Sequence, residues 1–87
     1  LYLSRNALRE LPPSFGHLKL LEELFLNDNN LTDIDIVSSL SRLRILNASN
    51  NQMRTFPNGI SSLVVLRDLH LGGNDIVEVN PEIGSLY

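Results

Sequence analysis

The chain has few of the residues that most often supply chemistry or crosslinks. It contains no cysteine and no tryptophan, and aromatic residues make up 6% of its 87 residues. The lack of cysteine excludes disulfides and thiolate metal sites. A formal net charge of −3 predicts no basic surface for nucleic acid. No apolar run approaches the roughly 20 residues of a transmembrane helix, so we expect no membrane insertion.

What the chain does contain is a repeated block that reads L-x-L-x-x-N-x-L. Copies begin at residues 1, 24, 46 and 69, at intervals of 23, 22 and 23 residues. Ala48 and Met53 are conservative departures from leucine. The period predicts one domain, 1–87, made of repeats 1–23, 24–45, 46–68 and a truncated 69–87.

The remainder of each unit repeats as well. An apolar residue stands three positions after each block, at Leu11, Ile34, Phe56 and Val79. Residues 11–18 read L-P-P-S-F-G-H-L. On these features the sequence resembles the leucine-rich repeat family over its whole length. The 23-residue L-P-x-x-F-G-x-L unit is similar to the intracellular Ras-suppressor and Scribble-like subclass.

In the L-x-L segment both leucines point to one face of a short strand and the middle residue points to the other. A single repeat cannot bury its leucines, whereas stacked repeats can. We therefore predict an α/β leucine-rich repeat solenoid with a parallel concave β-sheet and outer loops or short helical turns. The resemblance implies a horseshoe arc. Because Leu1 and Tyr87 fall within the pattern, we expect about four repeats without caps, cut from a longer protein.

Repeat two is one residue shorter than the preceding and following repeats. It also lacks the proline that follows the apolar residue in repeats one and three, at Pro12 and Pro57. We expect its outer turn to have a different shape. Gly72 and Gly73 in repeat four have two interpretations: a place where a partner approaches the backbone closely, or a smooth turn.

An asparagine recurs where each strand ends. A buried asparagine there can donate and accept hydrogen bonds, and so satisfy backbone groups left unpaired by the turn. We interpret these residues as a structural asparagine ladder, with a catalytic or metal-binding role as the alternative. The ladder consists of Asn6, Asn29, Asn51 and Asn74.

Function is expected at the outward strand positions, because packing occupies the leucines. These positions mix aromatic, amide and acidic residues, which resembles the apolar anchors and polar rim of protein interfaces. The candidate protein-binding residues are Tyr2, Arg5, Glu23, Phe25, Asn27, Asp28, Ile45, Asn47, Ser49, Asp68 and His70. Tyr2 and Phe25 occupy the same position in neighbouring repeats, so they either anchor a partner or merely stack on each other.

The sequence predicts no catalytic residue, cofactor or metal site. His17 falls on the outer segment and His70 on the inner face, so they should not meet. The Asx-rich stretch 27–35 lacks the D-x-[DN]-x-[DN]-G pattern of calcium loops. We expect the chain itself not to be an enzyme.

The leading hypothesis is a protein-binding module of an intracellular signalling scaffold. The resemblance implies a cytoplasmic protein, membrane-associated if other parts of the full-length chain provide for it. It further implies a small GTPase or a signalling phosphatase or kinase as partner. A second hypothesis is a recognition or regulatory segment of a larger kinase, adenylyl cyclase or ubiquitin ligase. A third is an extracellular receptor ectodomain.

Overall fold

The computed structural model describes residues 1–55, 57 and 59–76. The predicted core residues Phe56 and Val79, together with the rest of residues 77–87 in the fourth repeat, lie outside the described residues. The proposed boundaries between repeats remain predictions.

Three short strands form the sheet. They are β1 (Glu23–Phe25), β2 (Ile45–Asn47) and β3 (Asp68–His70). The strands lie in the order β1-β2-β3 and all pairs are parallel. A parallel bridge between Tyr2 and Phe25 joins the first repeat to this sheet. The predicted parallel sheet is therefore confirmed.

Each repeat returns over the outside through a short 3₁₀ helix. These helices are η1 (Pro13–His17), η2 (Asp35–Ser39) and η3 (Ile60–Ser62). Their backbone bonds span three residues, as in Phe15 N–H to Pro12 O at 2.9 Å. Short helical turns were predicted, and the solenoid fold class is confirmed.

Repeat two is shorter because the segment just before its helix contains one residue fewer. Ile34, the residue before η2, has φ −126° and ψ 27°, whereas Pro12 before η1 has φ −67° and ψ 151°. The two helices themselves have the same length of five residues. The Asp33 side chain accepts a 2.7 Å bond from Asp35 N–H at the start of η2. The expected difference is thus confined to the start of the turn.

The core lies between the sheet and the 3₁₀ helices. Leu24, Leu26 and Leu46 of the strand segments are fully buried, and so are Val37 and Leu40 from the outer segment. Leucines of the first repeat, such as Leu3, pack against this cluster but are only partly buried. Burial therefore follows the alternation of the L-x-L segments.

In the second, third and fourth repeats, the asparagine links its repeat to the preceding one. The Asn29 side-chain amide donates to Leu26 O at 2.8 Å in its own repeat and to Leu3 O at 3.0 Å in the first repeat. Its Oδ1 accepts the N–H of Leu8 at 3.0 Å. One buried side chain therefore joins backbone groups of two successive repeats.

The same arrangement recurs along the stack. Asn51 donates to Ala48 O and Leu26 O and accepts the N–H of Leu31. Because Leu26 O receives both Asn29 and Asn51, the two rungs share a carbonyl. Asn74 repeats the pattern with Leu71 O, Ala48 O and the N–H of Met53.

Asn6 differs from the other three asparagines. Its side chain is exposed and donates to Ser4 O, within its own repeat, at 3.2 Å. Within the described residues, the Asn6 side chain therefore makes no bond to another repeat, although its backbone N–H donates to Asn29 Oδ1.

Asn29→Leu should lower the free energy of unfolding by about 1–3 kcal/mol, because the buried backbone partners of Asn29 lose their bonds. Urea denaturation of the 87-residue chain measures this loss. Asn6→Leu is the matched control and should change the value by less than about 0.5 kcal/mol. Equal effects of the two substitutions would contradict the stabilising role assigned to Asn29.

Candidate protein-binding face

The strands present one side to the core and the other to solvent. Leu24, Leu46 and Leu69 pair across the sheet and face inward. The residues on either side of each leucine point outward and are half-buried in β1 and β2 and exposed in β3. We call this surface the exposed sheet face. Its strand residues are Tyr2, Glu23, Phe25, Ile45, Asn47, Asp68 and His70.

Tyr2 and Phe25 form a parallel ring stack on this face. Their ring centroids lie 4.7 Å apart with an angle of 5° between the planes. Phe25 is half-buried, whereas Tyr2 remains 73% exposed. The stacking interpretation therefore describes a real contact, and the stack still offers apolar surface to solvent.

Polar residues at the ends of the strands bond mainly to each other. Ser4 Oγ donates to Asn27 Oδ1 at 2.8 Å, and the Asn27 amide donates to Asp28 Oδ2 at 2.7 Å. The amide of Asn50 donates to Asp28 Oδ1 at 3.2 Å. Both carboxylate oxygens of Asp28 thus have partners. These side chains form a fixed polar border beside the aromatic stack.

A left-handed backbone conformation recurs just beyond each strand. Arg5, Asp28, Asn50 and Gly73 occupy equivalent positions and have φ values of 60°, 61°, 57° and 73°. Glycine, asparagine and aspartate are the residues that adopt this region most readily. The residue types at three of the four positions, Asp28, Asn50 and Gly73, would have allowed this conformation to be predicted from the sequence. Arg5 is the exception.

The two glycines of repeat four differ in role. Gly73 has the left-handed conformation, and a Cβ atom there would overlap the Oδ1 of Asn50. Gly72 would accept a Cβ with no atom within 4 Å. The left-handed turn therefore explains why residue 73 is a glycine. Gly72 is not required by the turn and leaves open space on the exposed sheet face.

One ion pair beside the strands was not predicted. Arg44 Nη1 lies 3.3 Å from Glu22 Oε1, and both side chains are substantially exposed. The signal was available, because Arg44 follows Glu22 by one 22-residue repeat. The two opposite charges neutralise each other beside the exposed sheet face.

Among the residues the structure describes, no group of three or more histidine, aspartate or glutamate side chains could hold a metal ion. Within the same part of the chain, no helix is long and apolar enough to cross a membrane. His17 belongs to η1 and His70 to β3 on the exposed sheet face. A shallow polar groove on the flank of the solenoid, lined by Arg9, Glu10 and Thr32, was not anticipated.

These features define a repeat protein whose side chains divide between a packed interior and an open sheet face. A family model described as Leucine Rich Repeat matches residues 1–18 and 42–63. A solved leucine-rich repeat protein of Leptospira interrogans superposes with a TM-score of 0.91, at 33% identity over 99% of this chain. The chain belongs to the leucine-rich repeat family.

Two curated relatives are also similar. The plant intracellular Ras-group-related LRR protein 8 of rice is 33% identical over 97% of this chain. The alpha subunit of pig geranylgeranyl transferase type-2 is 44% identical over 60% of the chain. The chain spans only 23% and 9% of these relatives, and 22% of the Leptospira structure.

Gly73→Ala should lower the free energy of unfolding by about 1–2 kcal/mol, because a side chain is strained in the left-handed region. Gly72→Ala, its neighbour and control, should change this value by less than about 0.5 kcal/mol. Thermal or urea unfolding of the two variants checks the comparison. A larger loss for Gly72→Ala than for Gly73→Ala would show that the turn is assigned to the wrong glycine.

Proposed function

We propose that the chain is a non-catalytic module that binds a protein partner on its exposed sheet face, the concave side of the predicted arc. The observation that supports this most is the Tyr2–Phe25 stack, with Tyr2 73% exposed. Repeat arrays of this kind commonly use their extended inner surface for binding. Large aromatic residues are enriched among the residues that dominate binding energy.

The stack is suited to anchor a partner because it is held in place before binding. The contact between the rings restricts both side chains, so less rotamer freedom is lost when a partner covers them. The Ser4–Asn27–Asp28 chain of hydrogen bonds provides a polar border nearby. An apolar centre with a polar border is the usual arrangement of an interface.

Other exposed apolar side chains compete for this assignment. Leu20 is 73% exposed and Val64 is 83% exposed, both in the segments that lead from the 3₁₀ helices back to the strands. The two residues occupy different positions of the repeat, and their counterparts in repeat two are the polar residues Arg42 and Ser41, respectively, so no continuous apolar column forms there. Isolated exposed apolar residues are common on protein surfaces, so these carry less weight than a stacked pair.

For the cellular role, we favour an intracellular signalling scaffold. The L-P-x-x-F-G unit resembles the Ras-suppressor and Scribble-like subclass, and the rice relative is named as an intracellular Ras-group-related protein. On this basis the partner is a small GTPase or a signalling phosphatase or kinase, and the location is the cytoplasm. Membrane association, if any, would come from other parts of the full-length protein.

A second candidate function is recognition or regulation within a larger enzyme. Its support is the match to a geranylgeranyl transferase subunit at 44% identity over 52 residues. In that case the exposed sheet face would still bind protein, but the catalytic groups would lie elsewhere in the full-length chain. The full-length sequence distinguishes the two candidates.

Phe25→Ala should weaken binding of a captured partner by roughly 30-fold, the effect expected of an anchoring aromatic residue. Leu20→Ala is the control, since it removes an exposed apolar side chain on another surface, and it should change the affinity less than twofold. Calorimetric titration measures binding, and urea unfolding separately measures stability. Unchanged binding in Phe25→Ala, with or without lost stability, would refute the proposed anchor.

A further inference from the structure

The carboxylates of Glu23 and Asp68 differ from the other acidic groups around the exposed sheet face. Asp28 accepts hydrogen bonds from Asn27 and Asn50, and Glu22 pairs with Arg44. Within the described residues, the Glu23 and Asp68 side chains have no hydrogen bond or ion pair. Two negative charges are therefore available to a partner on this face.

The sheet register fixes how far apart these two charges are. Glu23 pairs with Ile45, and Ile45 pairs with Asp68. Since neighbouring strands are about 4.8 Å apart, the two acidic positions are separated by roughly 10 Å across the sheet. The half-buried Ile45 lies between them, and Phe25 lies two residues along β1 from Glu23.

The basic side chains near Glu23 and Asp68 do not neutralise these two carboxylates. Arg67 precedes Asp68 in the chain and His70 follows it by two residues, yet neither lies within ion-pair distance of it in the described structure. Arg44 is engaged by Glu22. Arg5 belongs to the border beyond the other end of the strands.

We propose that the partner presents one face of an α-helix that crosses the strands, with two basic residues seven positions apart and an apolar residue between them. Residues i and i+7 of a helix lie on one face and about 10.5 Å apart, which matches the spacing of Glu23 and Asp68. The residue at i+3 or i+4 then lies over Ile45. This inference rests on the proposed function and specifies its partner.

An extended strand fits this spacing poorly. Its residues i and i+3 are also about 10 Å apart, but they point to opposite sides. Residues i and i+2 share a side but lie only about 6.7 Å apart. The helix is therefore the regular element that can place two cations on both carboxylates and an apolar group on Ile45.

The test uses a phage-displayed library of α-helical peptides, randomised on one face and selected against the whole 87-residue chain. We expect the enriched peptides to carry lysine or arginine at two positions seven apart, with an apolar residue three or four positions after the first. Fluorescence anisotropy of these labelled peptides then compares variants of the chain. The doubly substituted Glu23→Gln and Asp68→Asn chain should bind them roughly 3- to 30-fold more weakly.

The matched control is the double substitution Glu10→Gln and Asp75→Asn, which removes the same charge from exposed positions off the sheet face. It should alter the affinity less than twofold. Enriched peptides without the basic pair, or equal binding to both double variants, would overturn this inference. If Phe25→Ala nevertheless weakens those peptides, the proposed binding face stands. If Phe25→Ala also has no effect, the proposed function fails with the inference.

Discussion

The hydrogen bonds between an asparagine side chain and two successive repeats are the constraint on which this structure depends. A buried amide has two donor hydrogens and an acceptor oxygen, and in Asn51 all are engaged with backbone groups. Because one side chain bonds to strand ends in both repeats, the two strands must end at the same level. The sharing of Leu26 O by Asn29 and Asn51 carries this alignment from one repeat to the next.

The alignment of the strands determines what is left for function. With the strand ends in register, Leu24, Leu46 and Leu69 stack behind the sheet, and the remaining strand positions must face solvent. Those outward positions are not packed into the core, so aromatic, acidic and amide side chains can occupy them at the regular spacing of the sheet. The exposed stack of Tyr2 on Phe25 is a direct result of that spacing.

The features that could be predicted from sequence are those that recur with the period. The parallel sheet, the inward leucines and the adjacency of Tyr2 and Phe25 all follow from a repeat of 22 or 23 residues. The contacts that could not be predicted depend on side-chain rotamers, as in the bonds from Ser4 to Asn27 and from Asn27 to Asp28. The place of the backbone change in repeat two could not be predicted either. The shorter repeat keeps a five-residue η2, and only the backbone conformation before that helix differs. Whether the candidate residues bind a partner remains a proposal.

Hydrogen exchange of side-chain amides tests the role of the asparagines most directly. Exposed asparagine and glutamine amides, such as those of Asn30 and Gln52, should exchange rapidly in NMR spectra recorded in D₂O. If the asparagines hold successive repeats together, the Nδ2 protons of Asn51 should exchange as slowly as the backbone N–H of Leu26, which bonds to Asn47 O at 2.7 Å. Both hydrogen bonds would then break only when the repeats separate. Rapid exchange of the Asn51 amide while Leu26 stays protected would contradict this role of the asparagines.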